Sequence, residues 1–288
     1  MFHSSKTLSY FDYIESVFFL NYNIVSARKI KGVIGVLHLI KIEWKKVCAT
    51  VIATILLISV VGCILSCTMY QNYAISYKLE AWEIGTEFFN FLFPLFVVLP
   101  LCWNIFYERK NNFMLYVLPR VSKKKYLMAK WIVYAISSFF ILFIPYIISA
   151  LAVLYVNPTS DLINASTYKH VFSELFIKKP LVYALLLSCW KGIIGVITMS
   201  FGFVIALYVK NIFVVLTGSF IYAVLENFIL AILHLERYRL VTAFEPSTIS
   251  ADSVNIASFV VGPMLLIIVI LLTVIYFKWI KKTDIVSV

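Results

Sequence analysis

Charge is scarce in this chain, and acid is scarcer than base. Of 288 residues only 14% are charged, with 14 Asp and Glu against 25 Lys and Arg, while 62% are hydrophobic. That balance excludes an ordinary soluble domain and indicates an integral membrane protein. Motifs for chemistry are missing as well. There is no G-x-x-x-x-G-K-[ST] loop, so ATP cannot be held here in the P-loop manner, and there is no H-E-x-x-H. His3, His38, His170 and His234 are scattered too widely for a metal cluster. Paired carboxylates deep in an apolar run, which an intramembrane protease needs, are absent too. The expectation is a chain that is not itself an enzyme, with no metal site and no cofactor of its own. Five cysteines (Cys48, Cys63, Cys67, Cys102 and Cys189) all lie in apolar runs, none at paired-ligand spacing with His. They read as small apolar helix residues rather than disulfide partners.

What the chain does have is long apolar runs. Six stand out, at 47–69, 86–106, 127–156, 181–208, 212–235 and 254–277. A membrane crossing takes about 20 residues, so the fold class is an all-α polytopic protein with six transmembrane helices and no room for a soluble catalytic domain. Pro145 lies inside the third run, where it removes a backbone hydrogen bond and predicts a kink. The third and fourth runs exceed a straight crossing, which predicts tilt or interfacial extension. No internal repeat is visible.

The formal charge of +11 raises nucleic acid as a partner. Position argues against it, because the basic residues sit at the ends of the apolar runs, as membrane orientation signals do. The N-terminal segment, the 107–130 connection, Lys210 and the tail carry 18 of the 25 Lys and Arg residues, against six in the alternate connections. By the positive-inside rule both termini are cytoplasmic. Trp44, Trp103, Trp131 and Trp279 sit near that side, where an aromatic belt belongs.

Before the first run, "RKIKGVIGVLHLIKIEWKK" sets Ile30, Val33, Ile34, Leu37 and Ile40 at helical spacing with lysines elsewhere. This predicts an N-terminal amphipathic helix over 31–46 lying on the inner surface. Residues 1–30 carry no span, no cleavage-site pattern after a basic start and no clear period, so they do not read as a signal peptide. One reading makes them an extension outside the working protein, with translation starting at Val36 or Leu37. A native peptide from residues 1–25 in mass spectrometry would end that reading.

The connections on the other side are less informative. "QNYAISYKLEAWEIGTE" is short and acidic, and 157–180 is expected to carry a surface helix around 168–176. Asn164-Ala165-Ser166 matches a glycosylation acceptor, a triplet too common to weigh. "HLERYRLVTAFEPSTISADS" mixes charged and apolar residues and suits a small helix dipping back into the outer leaflet.

The most telling stretch is "YERKNNFMLYVLPRVSKKKYLMAK", the connection after the second run. An apolar series, Phe113, Leu115, Tyr116 and Leu118, lies between Glu108-Arg109-Lys110 and Lys123-Lys124-Lys125. Pro119 ends any helix there, and Ser122 is placed to cap the next one. The prediction is a short helix over 108–122, parallel to the membrane, whose apolar knob and charged rim suit docking of a soluble partner.

Glu108-x-x-Asn111-Asn112-Phe113, Leu118-Pro119-x-x-Ser122-Lys123, Tyr126 and Lys130, together with six spans and the amphipathic start, resemble the ABC-2-type permease subunits of ABC transporters. The likeness is closest to the bacitracin and lantibiotic-immunity type, whose element usually reads E-x-x-G-N-F, and it covers residues 36–288. Asn111 stands where Gly is usual, and Asn tolerates the positive φ of a left-handed turn better than most residues. The resemblance implies that Glu108, Arg109, Asn112, Phe113, Leu115, Tyr116, Leu118, Pro119 and Lys123 form a coupling helix for a separate ATPase. It also implies two copies of that ATPase carrying ATP and Mg, and a second permease copy or paralogue. The setting would be the plasma membrane of a bacterium, and the cargo an amphipathic or hydrophobic compound such as an antimicrobial peptide.

Two charges fall deep inside apolar runs, away from their ends, Lys191 in the fourth and Glu226 in the fifth. The tight turn at Lys210 and Asn211 makes these runs an antiparallel hairpin. At 1.5 Å per residue they lie roughly 25 Å and 21 Å from its turn, so matched depth predicts an intramembrane polar pair. The pair is either part of a path or an interhelical clamp. Gly192, Gly195, Gly202 and Gly218 in the same hairpin allow close helix approach. Two other classes stay open: an ion-coupled secondary transporter, for which only Glu226 offers a coupling site, and a sensory or structural membrane protein.

Overall fold

The computed structural model describes residues 36–73, 75, 77–156 and 171–280. The expectations for residues 1–35, for Asn164 and for the tail beyond 280 lie outside the described residues. Among the described residues every regular element is a helix. Six are long and apolar enough to cross a membrane.

The first of these, α1, runs unbroken through Val36–Thr68. The boundary expected at 46/47 is not there. Leu39, Glu43, Val47 and Val51 are buried at four-residue intervals, so one inward stripe continues across the basic flank, with no Gly or Pro to interrupt it. At 33 residues α1 is about 50 Å long, well beyond the hydrocarbon thickness of about 30 Å.

The short acidic connection that follows is not a solvent loop. It contains α2, Lys78–Thr86, most of which is buried, with Trp82 fully enclosed. Next comes α3, Phe89–Lys110, which carries Pro94 and Pro100, and then α4, only Phe113–Val117. Helix α5, Lys123–Leu151, contains Pro145 without ending there and continues into a π-helical turn, Ala152–Val156. The surface helix expected around 168–176 is α6, Ser173–Lys178. Then α7, Pro180–Tyr208, and α8, Ile212–Ile232, form the expected hairpin, with the Asn211 side chain capping α8 through the Phe213 amide.

After α8 the chain turns at His234 (φ 55°) and re-enters the bundle as α9, Leu240–Phe244, before α10, Ile256–Ile275, starts from an Asn255–Ser258 capping box. All five residues of α9 are buried, as is Glu245 after it. The dip expected of this connection is therefore deep. Gly262 of α10 permits it, since a Cβ there would sit 2.8 Å from the Leu240 backbone.

Helix α5 packs between α1 and α7, while α3 packs against α7 and α8. Gly192 makes the α5–α7 approach possible: a Cβ on it would lie 2.7 Å from the Phe139 ring. The start of α1 and the ends of α3 and α7 meet at one end of the bundle, shown by Lys46–Glu108 and by the Arg109 guanidinium on the Val209 carbonyl. The end of α10 joins them where Phe277 stacks on Tyr208 at 4.8 Å. This is the basic end, and the partly exposed Trp44, Trp131 and Trp279 lie there.

Candidate functional site

At the basic end, α3 closes at Lys110 and the chain reverses within two residues. The left-handed residue is Asn112 (φ 56°), whereas Asn111, where the sequence placed the turn, has φ −87°. Asn111 thus sits in an ordinary conformation, and its neighbour takes the left-handed one. Backbone bonds from the Asn112 amide to the Arg109 carbonyl (3.1 Å) and from the Leu115 amide to the Asn112 carbonyl (3.0 Å) join α3 to α4.

Within this short helix Met114 is buried, while Leu115 is 49% and Tyr116 70% exposed. Phe113 is half-buried, its ring 5.1 Å from the Lys46 ammonium. Leu118 and Lys123 are half-buried, and Asn112, Pro119 and Arg120 are exposed. Ser122 holds the N-cap position of α5 but makes no side-chain capping bond. The exposed knob is therefore Leu115, Tyr116 and Pro119, narrower than the 108–122 stretch expected.

Glu108 and Arg109 do not belong to that knob. Both are in the last turn of α3 and face inward. Arg109 is 5% exposed and donates to the Val209 carbonyl, tying α3 to the α7–α8 turn. Glu108 accepts from the Tyr126 hydroxyl (2.6 Å), from Lys46 (3.0 Å) and from Lys130. Glu43 completes the group: Lys46 lies 2.7 Å from its Oε1, and Lys130 lies 3.0 Å from its Oε2 as an ion pair without hydrogen-bond alignment. Two carboxylates and two ammonium groups balance, and the Lys130 side chain is wholly buried. Such a network holds one geometry because losing any member strands a buried charge. Its members come from α1, α3 and α5, so the base of the exposed knob is fastened to three spans. Glu43 went unnoticed in the sequence. It is the single acid in a basic flank and sits three residues before Lys46, a spacing that signals pairing on a helix.

The second polar cluster lies in the opposite half of the bundle. Lys191 and Glu226 do not pair. The Lys191 ammonium meets the Glu245 carboxylate, and both side chains are buried. Glu226 instead accepts from the Leu240 amide at 3.0 and 3.1 Å, satisfying one of the unpaired N–H groups at the start of α9. Matched depth was a sound inference for the hairpin alone. It fails because depth does not set rotation about a helix axis, and because the re-entrant segment brings its own carboxylate.

That segment is anchored on several sides. Phe244 stacks on Phe93 of α3 at 4.2 Å, the Trp190 indole donates to the Ala243 carbonyl (2.9 Å), and Ser247 donates to Glu245 (3.1 Å). Trp82 of α2 donates to the Tyr146 carbonyl and to the Ser149 hydroxyl, both at 3.1 Å, closing the enclosure from the other side.

Among the described residues no group of three His, Cys, Asp or Glu is arranged for a metal ion, and the five cysteines are free thiols. No protein-family model, curated protein or solved structure matches the chain. Among the described residues the geometry defines a membrane protein of six spanning helices, with an exposed helical knob on a rigid base at one end and buried ionic clusters at that base and in the opposite half.

Proposed function

We propose that this chain is the membrane subunit of an ATP-driven transporter, with the Leu115, Tyr116 and Pro119 knob seated in a groove of a separate ATPase. The observation that carries this reading is the contrast within one short connection. Leu115 and Tyr116 point outward, while Glu108 and Arg109 directly behind them are locked into the spans. An apolar tip on a rigid base can take a push from a partner and deliver it to α1, α3 and α5 together; a loop that merely oriented the helices would need only its lysines. The basic end then faces the cytoplasm of a bacterial cell. The working assembly is two membrane subunits, identical or paralogous, with two ATPases that hold ATP and Mg. In this reading the cargo is an amphipathic or hydrophobic compound, such as an antimicrobial peptide.

The test is affinity purification of the tagged chain from its native membrane in mild detergent, with quantitative mass spectrometry. A stoichiometric P-loop ATPase, lost on Tyr116→Asp and on Leu115→Asp while the membrane level of the chain is unchanged, is the expected result. A chain that purifies without an ATPase would sink the proposal.

A further inference from the structure

Lys191 and Lys130 are both fully buried, yet their surroundings differ in kind. Lys130 is met by two carboxylates and the Tyr126 hydroxyl, with rings farther off at 5.5 and 5.7 Å. Lys191 is met at contact distance by one carboxylate, Glu245, with Glu83 attracting it from farther off, and by three nearer rings: Tyr146 at 4.0 Å, Trp82 at 5.0 Å and Phe244 at 5.2 Å. Ring faces gathered around a cation, with a carboxylate on one side, are how proteins recognise alkylammonium groups. Neutralising a single charge does not require them.

Two buried hydroxyls on the helices that carry Tyr146 and Lys191 have no hydrogen-bond partner among the described residues. They are Tyr146 Oη, on the nearest ring, and Ser188 Oγ, one turn before Lys191. These hydroxyls leave hydrogen-bonding capacity open to a polar occupant beside the rings.

We propose that this enclosure is an alkylammonium-binding site on the transport path, filled in the present state by the chain's own Lys191. Its walls come from two sources. Trp82 and Tyr146 belong to α2 and α5, whereas Phe244 and Glu245 belong to the re-entrant segment. When that segment and Lys191 part, the ammonium group of an amphipathic cargo takes the place of the lysine against the same carboxylate and rings. The inference rests on the transport reading above and names the chemical class of its cargo.

The test uses the full chain in lipid nanodiscs. Octyltrimethylammonium is the probe, since it carries the charge without a reactive amine, and octyl glucoside is the neutral amphiphile. Reductive dimethylation of Lys191 is followed by peptide mass spectrometry. Lys191 is expected to be protected in the wild-type chain, to become several-fold more reactive with the probe, and to stay protected with octyl glucoside. Trp82→Leu should raise the half-saturating probe concentration by about tenfold. In Lys191→Ala protein the probe should raise the unfolding temperature, an effect lost in Lys191→Ala/Glu245→Gln. Equal protection of Lys191 at saturating probe, or an equal response to octyl glucoside, overturns the proposal. The wild-type comparison needs no substitution, and neither readout involves an ATPase, so this failure is distinct from a failure of the transport reading.

Discussion

Lys130 of α5 and Glu43 of α1 face each other at 3.0 Å with both side chains buried, and Glu108 of α3 closes the group from the other side. Three spans are therefore joined by charge directly behind the exposed Leu115 and Tyr116, where the proposed partner would press. Lys130→Met leaves Glu43 and Glu108 to share the single ammonium of Lys46, one buried charge short of balance, and is expected to cost about 3 to 5 kcal/mol. Unfolding free energies in mixed micelles measure this. Adding Glu43→Gln to Lys130→Met should recover part of the loss, since one carboxylate, Glu108, then faces one ammonium, Lys46. Additive losses in the double variant would show that the four charges do not act as a unit.

The opposite half offers a sharper comparison. Lys191→Met alone is expected to cost about 3 to 5 kcal/mol, because Glu245 is left buried without its partner. Lys191→Met/Glu245→Leu should restore most of that stability, whereas Lys191→Met/Glu226→Leu should be worse than the single change. The reverse ranking would reinstate the Lys191–Glu226 pair.

Asn112 provides a local test of the knob. Asn112→Gly should be tolerated, while Asn112→Val forces a β-branched residue into a left-handed turn at about 1 to 2 kcal/mol. The cost should appear in hydrogen exchange at the Leu115 and Leu118 amides, whose bonds to Asn112 and Met114 carbonyls hold α4 together. Exchange about tenfold faster than in wild type is the expected result. Unchanged exchange would mean that α4 does not depend on that turn.

Gly262→Val tests what holds the re-entrant segment in place. Its first added carbon meets the Leu240 backbone at 2.8 Å, so α9 must shift. In a background lacking the five native cysteines, Ala243→Cys should react slowly with a thiol reagent, and several-fold faster once Gly262→Val is added. An unaltered rate would show that α9 is retained without α10.

Much of the architecture was legible because long apolar runs dictate it. The six spans fall close to where hydropathy puts them, and the exposed Leu115 and Tyr116 follow from an apolar series set among lysines. Other features depend on where helices turn about their axes, which composition does not encode. Lys191 chose Glu245 over Glu226 for that reason, and Glu108 and Arg109 face inward although they adjoin an exposed tip. The inward stripe of Leu39, Glu43, Val47 and Val51 explains why α1 has no boundary at its basic flank, a pattern visible in the sequence once the burial of a glutamate is admitted. The enclosure around Trp82 was hidden because a short acidic connection reads as solvent loop until its burial is seen.

The re-entrant position of Glu245 also sets a schedule for biosynthesis. Glu43 and Glu108 are already made when Lys130 leaves the ribosome, so that lysine finds its carboxylates waiting. Lys191 enters the bilayer 54 residues ahead of Glu245. A lysine at such depth without a contacting carboxylate carries roughly 2.5 to 3.5 kcal/mol of insertion cost, so α7 is held less firmly until Glu245 arrives. Maturation ends only when the connection after α8 folds back and brings Glu245 to the waiting ammonium.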